Sequence, residues 1–424
     1  MDPVRNPYAP GAGQRPPELA GRDTELSAFD VVLERIAHGR PERSLVLTGL
    51  RGVGKTVLLN QLRSAAISRG WGTGKIEARP EQSLRRPLSS ALHMALRELG
   101  PRHRDQESIT EVLGVLKAFA QRVQPADARV RDRWQAGIDV PATTGRADSG
   151  DMEIDLVELL SDAAGVAADI GSGIALFIDE MQDVQPDDVS AICAACHELS
   201  QQGAPLIVVG AGLPHLPAVL SASKSYSERL FRYLRIDRLD REAADRALLA
   251  PAGREDVEFE PAALDALYEA ADRALLAPAA REDVEFGAAA LDALYEAADG
   301  YPYFVQAYGK VTWDLAAASP ITADDVAMAA PVAEAELAVG FFGSRYDRAT
   351  PAEREYMHAM AELGGPGGAA VATSEVAVSL GRKPASLSPA RDSLIKKGLV
   401  YSAERGQIAF TVPHFGRYLL RHPD

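Results

Sequence analysis

Eight residues near the start of the chain have the spacing of a loop that holds phosphates. Gly49-Leu50-Arg51-Gly52-Val53-Gly54-Lys55-Thr56 fits the pattern G-x-x-x-x-G-K-S/T. The glycines let successive backbone N–H groups point into one concavity that receives phosphate oxygens. Lys55 would reach the β- and γ-phosphates, and the Thr56 hydroxyl would coordinate Mg²⁺. The spacing predicts a nucleotide phosphate site that extends through Val57.

Two carboxylates end a short apolar run farther along the chain, in "IALFIDE" (174–180). Asp179 would hold Mg²⁺ through water. Glu180 would orient and deprotonate a water that attacks the γ-phosphate. The pair favours hydrolysis over phosphoryl transfer to a small molecule, so it predicts an enzyme that hydrolyses a nucleoside triphosphate. The alternative interpretation is an acidic strand end that faces solvent.

The elements that must position these residues alternate between strands and helices. "SLVLTG" (44–49) predicts a buried strand that runs into the loop, and a helix from Lys55 adds the positive end of its dipole. Further strands are predicted at 74–78, 174–180 and 204–212. Strand, loop and helix are the context that a phosphate loop requires. We therefore predict an α/β fold of the P-loop NTPase type, with a doubly wound parallel sheet, over residues 19–235.

Other segments differ in composition. Residues 1–18 are rich in Pro and Gly and predict a flexible tail, and residues 125–152 predict a mobile insertion. Ala/Leu helices follow residue 236 and predict an α-helical lid over 236–345. Within it, residues 242–268 recur at 269–295 with three of 27 positions changed. Two nearly identical copies indicate a recent in-frame duplication rather than a solenoid, which normally needs three or more repeats.

The C-terminal residues 346–424 predict a winged helix-turn-helix. Helices are expected at 350–363, 372–380 and 384–397, followed by a hairpin that turns at Arg405-Gly406. The third helix would enter the major groove of DNA. Six cations would contact the nucleic acid: Arg382, Lys383, Arg391, Lys396, Lys397 and Arg405. A winged helix that contacts protein instead is the alternative.

Composition limits the protein class. The chain has 424 residues and a net charge of −15, but residues 240–300 carry −11 and residues 381–424 carry +5. The net charge of the whole chain therefore does not show that residues 381–424 are basic. No apolar h-region precedes the first domain, and no apolar run approaching the roughly 18 residues of a membrane span is expected. We expect a cytoplasmic protein without a membrane partner.

The two cysteines, Cys193 and Cys196, lie in "CAACH", which matches a haem attachment pattern. Their helical spacing with Ile192 and Leu199 favours small residues of a helix instead. Two cysteines also argue against a disulfide framework.

Two further stretches resemble one family. The chain has two asparagines, Asn6 and Asn60, and neither begins the guanine-reading pattern N-K-x-D. This absence disfavours a GTPase. "LAGRDTEL" (19–26) is similar to the G-R-E/D-x-E-L box of the initiator-type AAA+ and STAND ATPases, and "GYPYFVQAYG" (300–309) resembles their G-x-P lid segment. With "GLRGVGKT" and "FIDE", residues 19–345 resemble bacterial relatives of the archaeal-ATPase and origin-recognition-like group.

The resemblance implies ATP as the nucleotide. It implies that Gly21 and Arg22 line the adenine pocket, that Pro302 packs on adenine, and that a C-terminal winged helix binds DNA, as in initiators. From "SYSERLFRYLRI" (225–236) it offers Arg229, with Arg232 and Arg235, as the family's arginine contact, although arginines at helical spacing are also typical of a solvated face.

One departure concerns hydrolysis. These ATPases often carry a polar residue that senses the γ-phosphate after the fourth strand, where this chain has Gly210-Ala211-Gly212. We therefore expect slow hydrolysis. His215 is a substitute for that residue or a histidine of a surface loop.

Two functional hypotheses follow. The first is an ATP-binding, slowly hydrolysing AAA+/STAND-like molecular switch that controls a C-terminal module for double-stranded DNA. The alternative is a signalling or defence ATPase whose winged helix mediates protein contacts and homo-oligomer formation. A small-molecule kinase is disfavoured by the Asp-Glu pair and by the extra C-terminal module.

Overall fold

The computed structural model of the chain describes residues 2–11, 13–102, 105–121, 138–224, 226–255, 263, 301–318, 320–365, 368–412 and 415–421. The chain divides into two compact units. The sheet unit consists of Asp23–Gly49 and Leu58–Arg235, and the lid unit consists of Met1–Arg22, Leu50–Val57 and Ile236–Asp424.

Five parallel strands form the sheet of the sheet unit, in the order β2-β3-β4-β1-β5. The strands are β1 (Ser44–Thr48), β2 (Gly72–Glu77), β3 (Ile174–Asp179), β4 (Leu206–Gly212) and β5 (Phe231–Arg235). From β1 the chain crosses out to β2 at one edge of the sheet and returns through β3 and β4 to the other side of β1. The predicted parallel sheet is confirmed, but β5 was not predicted. Its Phe231 is buried, whereas Arg232 and Arg235 are exposed at the edge of the sheet.

Among the described residues, eight helices accompany this sheet: α1 (Asp23–Ala37), α2 (Lys55–Ser68), α3 (Arg85–Leu99), α4 (Gln106–Gln121), α5 (Met152–Asp169), α6 (Pro186–Gln202), α7 (Leu216–Ser223) and α8 (Ser227–Leu230). Short 3₁₀ turns lie at Gly100–Arg102 and Met181–Asp183. α6 shows why such helices begin and end where they do. Pro186 is its first residue, and Gly203 ends it with a φ of 64°. Cys193 and Cys196 lie on its buried face, so the helical interpretation of these cysteines holds.

A buried ion pair holds residues 138–151 to this unit. Arg85 donates to Asp155 Oδ2 at 3.0 Å, and Asp155 Oδ1 accepts from the N–H and hydroxyl of Ser149 at 2.8 and 2.6 Å. Burial would raise the pKa of Asp155, but the hydrogen bonds from Ser149 and Arg85 lower it overall. Lys117 Nζ donates to the carbonyls of Ile138 and Val140. This packing differs from the mobile insertion expected at 125–152, of which residues 125–137 lie outside the described residues.

The described part of the lid unit holds three longer helices and a C-terminal module, by which we mean residues 350–421. The first part comprises α9 (Arg241–Gly253), α10 (Pro302–Leu315), α11 (Ala323–Leu337), a π-helical stretch at Ala338–Gly343 and α12 (Ser344–Tyr346). The C-terminal module comprises α13 (Pro351–Gly364), β6 (Val371–Ala372), α14 (Thr373–Ser379), α15 (Pro384–Lys396), β7 (Val400–Tyr401), β8 (Gln407–Phe410) and α16 (Phe415–Arg421). β6, β8 and β7 form an antiparallel sheet in that order.

Most of the duplicated stretch lies outside the described residues. The structure describes residues 242–255 and 263 of the first copy and none of the second, 269–295. The described part of the first copy belongs to α9, whose buried side includes Ala244, Ala247 and Leu248. The prediction of a dispensable second copy therefore stays a prediction.

The N-terminal residues pack on α10, which differs from the flexible tail expected at 1–18. Tyr8 is 4% exposed, its hydroxyl donates to the Leu248 carbonyl at 2.8 Å, and its ring meets Trp313 edge-on at 6.2 Å. Asn6 Nδ2 donates to Asp314 at 2.6 Å, and Trp313 Nε1 donates to the Asp2 carbonyl at 3.1 Å. A buried tyrosine and three side-chain hydrogen bonds hold the segment in place.

One helical run of the described residues, Asp324–Tyr346, is long and apolar enough to cross a membrane by length and composition. The expectation that no run approaches that length is therefore wrong. A core helix passes the same test, however, and this run contributes to an aromatic cluster: Phe342 stacks on Phe415 at 6.2 Å and on Tyr418 at 5.4 Å. A single run of this kind is weak evidence for a membrane span.

Candidate functional site

The phosphate loop has the backbone of an anion-binding nest. Gly52 and Gly54 have φ values of 88° and 89°, a region that residues with a Cβ rarely occupy. α2 begins at Lys55, directly after the second of these glycines. Lys55 is 8% exposed, and its Nζ donates to the Leu50 carbonyl at 2.7 Å across the loop. Backbone donors, a buried lysine and a helix N-terminus together fit the phosphates of a nucleotide.

Residues of the N-terminal box brace this loop. Arg22 is 7% exposed, and its Nη2 donates to the Val53 carbonyl at 3.2 Å and to the Asp237 carbonyl at 2.5 Å. Its Nη1 donates to the carbonyl of Gly21 at 3.3 Å. Arg22 therefore ties the loop to the start of the lid helices. The assignment of Gly21 and Arg22 to an adenine pocket stays a prediction.

The G-x-P segment lies against the same loop. Tyr301 is 3% exposed, and a Cβ at Gly52 would lie 3.4 Å from its ring. Pro302 is the first residue of α10, where its missing N–H costs no hydrogen bond. The structure thus brings Pro302 next to the loop, while its predicted contact with adenine is untested.

The C-terminal module also contacts the loop, which sequence reasoning did not foresee. The Arg51 N–H donates to the Thr411 carbonyl at 3.0 Å. A Cβ at Gly398 would lie 2.6 Å from Arg51 Nη2, so the guanidinium rests on the turn after α15. Burial, and next the charge of Arg51, lower the pKa of Arg345, which lies 4.1 Å from the Phe341 ring centre. The third residue of the loop is therefore held by the module.

Asp179 and Glu180 stand at the carboxyl end of β3, as predicted. Asp179 is 5% exposed, and its Oδ1 accepts from the Glu180 N–H at 3.0 Å. Glu180 has φ 49° and ψ 41°, a left-handed conformation that is uncommon for a residue other than glycine. Backbone strain of this kind concentrates at functional sites. Gln182 Nε2 donates to Glu180 Oε2 at 2.6 Å and thereby fixes the carboxylate.

The glycines at the end of β4 make room for the turn that follows Glu180. A Cβ at Gly210 would lie 2.4 Å from Met181 Sδ, and one at Gly212 would lie 2.7 Å from Gln182 Oε1. Gln182 Oε1 also accepts from the Leu213 N–H at 3.1 Å. Sequence reasoning missed Gln182, although its position two residues after Glu180, opposite a Gly-x-Gly strand end, was the available signal. His215 is half-buried, and burial lowers its pKa.

The described residues contain no group of three or more His, Cys, Asp or Glu side chains that could hold a metal ion. Mg²⁺ usually keeps several waters and takes only one or two protein ligands besides substrate phosphates. Thr56 and Asp179 supply oxygens of the right kind. Their roles as ligands stay predictions.

The predicted arginine contact lies on the surface. Arg229 belongs to α8 and is exposed, as are Arg232 and Arg235. The helical spacing that the sequence suggested for the three is wrong, because Arg232 and Arg235 belong to strand β5. An exposed Arg229 is compatible with a contact to another molecule and with a solvated surface.

Half of the predicted DNA-contacting cations form ion pairs within the module. Lys397 Nζ donates to Glu353 at 2.6 Å and to the Arg348 carbonyl at 2.9 Å. Burial would raise the pKa of Glu353, but its hydrogen bonds, the largest from Lys397, lower it to about 2. Arg382 pairs with Glu355 and Arg391 pairs with Asp392, both at 2.9 Å. The remaining three are exposed: Lys383, Lys396 and Arg405.

The cysteines carry no reactive thiol. Burial raises the pKa of Cys193 to about 12 and that of Cys196 to about 11. Thiolate is the reactive form, so both side chains act as packing groups of α6.

Comparisons with known proteins define the domain. Residues 18–209 match the family model described as AAA ATPase domain, and residues 339–419 match the one described as Domain of unknown function (DUF8462). Over residues 18–209 the chain is therefore similar to an AAA ATPase domain, and this similarity implies nucleotide binding. The search of curated proteins gave no significant match.

Several solved AAA+ proteins are distantly similar. A variant of RuvB from Thermotoga maritima is 18% identical over 92% of each chain, with a TM-score of 0.42. Aeropyrum pernix ORC1, solved in complex with DNA, is 16% identical over 99% of this chain and 96% of its own, with a TM-score of 0.43. Pyrobaculum aerophilum Cdc6p is 13% identical over 99% and 97%, with a TM-score of 0.41. Likenesses at these TM-scores carry no part of the functional argument.

Proposed function

We propose that the protein is an ATP-dependent molecular switch that hydrolyses ATP slowly and passes its nucleotide state to the C-terminal module. One observation carries the proposal: Arg51, the third residue of the phosphate loop, donates its N–H to Thr411 of the module. A loop of this pattern surrounds the phosphates of its nucleotide. The module therefore contacts the part of the protein that differs between nucleotide states.

The proposed roles follow the sequence pattern. Residues 49–57 hold the phosphates, and Lys55 neutralises their charge. Thr56 and Asp179 hold Mg²⁺, which would neutralise charge that develops on the phosphate oxygens. Glu180 accepts a proton from water as the water oxygen bonds to the γ-phosphorus and the bond to the bridging oxygen breaks. Slow turnover remains the expectation, below the usual enzyme median of about 10 s⁻¹.

We assign the C-terminal module to the winged helix-turn-helix class. Its order of helix, strand, helix, helix and hairpin supports the assignment. The inward residues Leu387 and Leu394 are buried in α15, and residues 380–383 form the turn between α14 and α15. We propose the same domain division as the sequence predicted, with the lid over residues 236–345 and the winged helix-turn-helix domain over residues 346–424.

Double-stranded DNA is the ligand that we propose for this module. Lys383, Lys396 and Arg405 are exposed, and residues 381–424 carry a net charge of +5. The ion pairs of Arg382, Arg391 and Lys397 reduce the number of cations that reach phosphates. Protein contact and homo-oligomer formation form the second candidate, which this internal pairing favours.

DNA binding with and without Mg-ATP tests the proposal. A gel-shift titration of the full chain on mixed-sequence duplex should show affinity that differs between the two conditions. Each phosphate contact should contribute about −0.9 to the log–log slope of affinity against salt, so three exposed cations predict a slope of about −3. Lys55→Ala should remove the ATP effect and leave the slope unchanged. Absence of binding at low salt, together with ATP-dependent oligomer formation, would favour the second candidate.

A further inference from the structure

Gln182 bridges the two sides of the predicted hydrolysis site within the sheet unit. Its Nε2 donates to Glu180 Oε2 at 2.6 Å, and its Oε1 accepts from the Leu213 N–H at 3.1 Å. Leu213 directly follows β4, and the Gly212 carbonyl accepts from the N–H of Gly49, the first residue of the phosphate loop, at 3.2 Å. One side chain thus connects the candidate base to the strand end that bonds the loop.

The surrounding residues are shaped for this bridge. A Cβ at Gly212 would lie 2.7 Å from Gln182 Oε1, and one at Gly210 would lie 2.4 Å from Met181 Sδ. A side chain at either position would have to displace the end of the Met181 or the Gln182 side chain. Glu180 itself has a left-handed backbone, so its side-chain direction depends on contacts outside its own strand.

We infer that Gln182 is the positioning residue of the hydrolysis site and provides the polar group that β4 lacks. The inference rests on the proposed ATPase function. Gln182 fixes the direction of the Glu180 carboxylate toward water and sets its distance from the carboxyl end of β4. It also explains why Gly210-Ala211-Gly212 is compatible with hydrolysis: the polar group comes from the turn after β3 rather than from β4.

Two substitutions of similar size distinguish the two hydrogen bonds of Gln182, the one to Glu180 and the one from Leu213. Gln182→Met removes both hydrogen bonds, whereas Gln182→Glu keeps an acceptor for the Leu213 N–H and loses the donor to Glu180. Gln202→Ala is a matched control, because Gln202 makes the same type of bond to Glu198, at 3.0 Å on the exposed surface of α6. Glu180→Gln gives the turnover that remains without the base.

Two quantities are measured for the wild-type full chain and for each variant: the turnover at saturating Mg-ATP and the dissociation constant of ATP. Loss of a hydrogen bond to a charged group predicts a fall in kcat of about tenfold to a hundredfold in both Gln182 variants. ATP affinity should stay within about twofold of wild type, as expected for a group that acts only on the reacting water. Gln202→Ala should match wild type in both quantities. Wild-type turnover in Gln182→Glu, or a loss of ATP affinity equal to the loss of kcat, would overturn the inference.

Failure of the ATPase proposal itself would be visible separately, as absence of turnover in the wild type. In that case amide hydrogen exchange at Leu213 tests whether Gln182 accepts a hydrogen bond from the Leu213 N–H. Exchange should be faster in Gln182→Met than in wild type and should stay slow in Gln182→Glu. Equal exchange in wild type and Gln182→Met would overturn the bridge.

Discussion

At the scale of single residues, Lys55 is the side chain on which we propose that nucleotide binding depends most. It begins α2 and lies 8% exposed beside the glycines of the nest. Without it, the backbone donors face the phosphate charge without a neutralising ammonium group. The nest geometry and the lysine act together, so the backbone alone is expected to be a weak site.

We predict that Lys55→Ala abolishes measurable ATP binding and the thermal stabilisation that Mg-ATP gives to the wild type. A ligand at a hundred times its Kd adds about 2.7 kcal/mol to the free energy of unfolding, so the wild-type shift should be easy to detect. Calorimetric titration and thermal melting with and without Mg-ATP make the comparison. Unchanged ATP affinity in a folded Lys55→Ala protein would refute the assignment of the loop.

The residues of the loop and of the "FIDE" strand end could be predicted because their chemistry follows from local spacing. Gln182 was missed, because the signal of its position becomes visible only when β3 is placed beside β4. The missing side chains of Gly210 and Gly212 suggested a lost function, whereas the structure shows that they leave space for Met181 and Gln182. The sequence does not show that the glycines at the end of one strand leave space for the side chains that follow the neighbouring strand.

At the scale of elements, the C-terminal module depends on the Glu353–Lys397 pair, which joins the first turn of α13 to the end of α15. Glu353 also closes a capping box with Thr350. Its side chain is 4% exposed, so removal of the lysine leaves a buried carboxylate without its cation. Breaking a buried pair in this way costs about 3 kcal/mol.

We predict that this pair makes the module sensitive to acid. The pKa of Glu353 is lowered from 4.5 to about 2 in the folded state, so the folded state binds the proton less readily than the unfolded state. Its stabilisation is complete above the unfolded pKa and is lost as the pH falls from about 4.5 toward 2. Urea unfolding of the full chain between pH 7 and 3 should show a smaller acid-dependent loss in Lys397→Met than in wild type.

Lys396→Met, which removes the exposed neighbouring lysine, is the control for this measurement. It should retain the wild-type dependence on pH. Equal pH dependence in wild type and Lys397→Met would show that the pair does not set the acid stability.

The lid offers a second element-scale prediction. Deleting residues 269–295 joins Tyr268 to Glu296 and restores the local sequence, so the protein should fold and bind ATP with unchanged affinity. The deletion removes six acidic and two basic residues, which changes the net charge from −15 to −11. Circular dichroism, thermal melting and ATP titration of the deletion variant make the test. A variant that fails to fold would show that the second copy is part of the lid structure.

Elements with strong local patterns agreed with prediction, and the exceptions have physical causes. The strands β1, β3 and β4 were predicted from apolar runs and β2 from the stretch at 74–78, but edge strand β5 carries Arg232 and Arg235 and has no apolar run. The N-terminal segment looked like a tail because Pro and Gly dominate it. Tyr8 and Asn6 nevertheless hold it on α10 through contacts that are distant in sequence.

At the scale of the whole molecule, charge and nucleotide state are proposed to act together. Residues 240–300 carry −11 and residues 381–424 carry +5. An acidic segment in the same chain lowers the affinity of a weakly basic module for DNA wherever the two approach within about a Debye length, roughly 8 Å at physiological salt. Control of the module by nucleotide would therefore change its access to DNA as well as its contacts.

Two glycines of the module allow the contact between Arg51 and the turn after α15 to be tested with a matched control. Gly398 and Gly406 both lie in turns of the module with positive φ, 64° and 80°. A Cβ at Gly398 would lie 2.6 Å from the Arg51 guanidinium, whereas one at Gly406 would meet nothing within 4 Å. Alanine at either position strains the backbone in a similar way, but only Gly398→Ala displaces Arg51.

The measurement that tests the central claim most directly is amide hydrogen exchange across residues 398–411, in the full chain with and without Mg-ATP. We predict that Mg-ATP changes exchange in this segment at least twofold in wild type and in Gly406→Ala. The change should disappear in Lys55→Ala, which does not bind the nucleotide, and should be smaller in Gly398→Ala, whose Cβ displaces the Arg51 guanidinium but leaves the Arg51–Thr411 backbone bond. Identical exchange in wild type with and without ATP, under conditions where ATP is shown to be bound, would contradict the claim that the C-terminal module responds to the nucleotide.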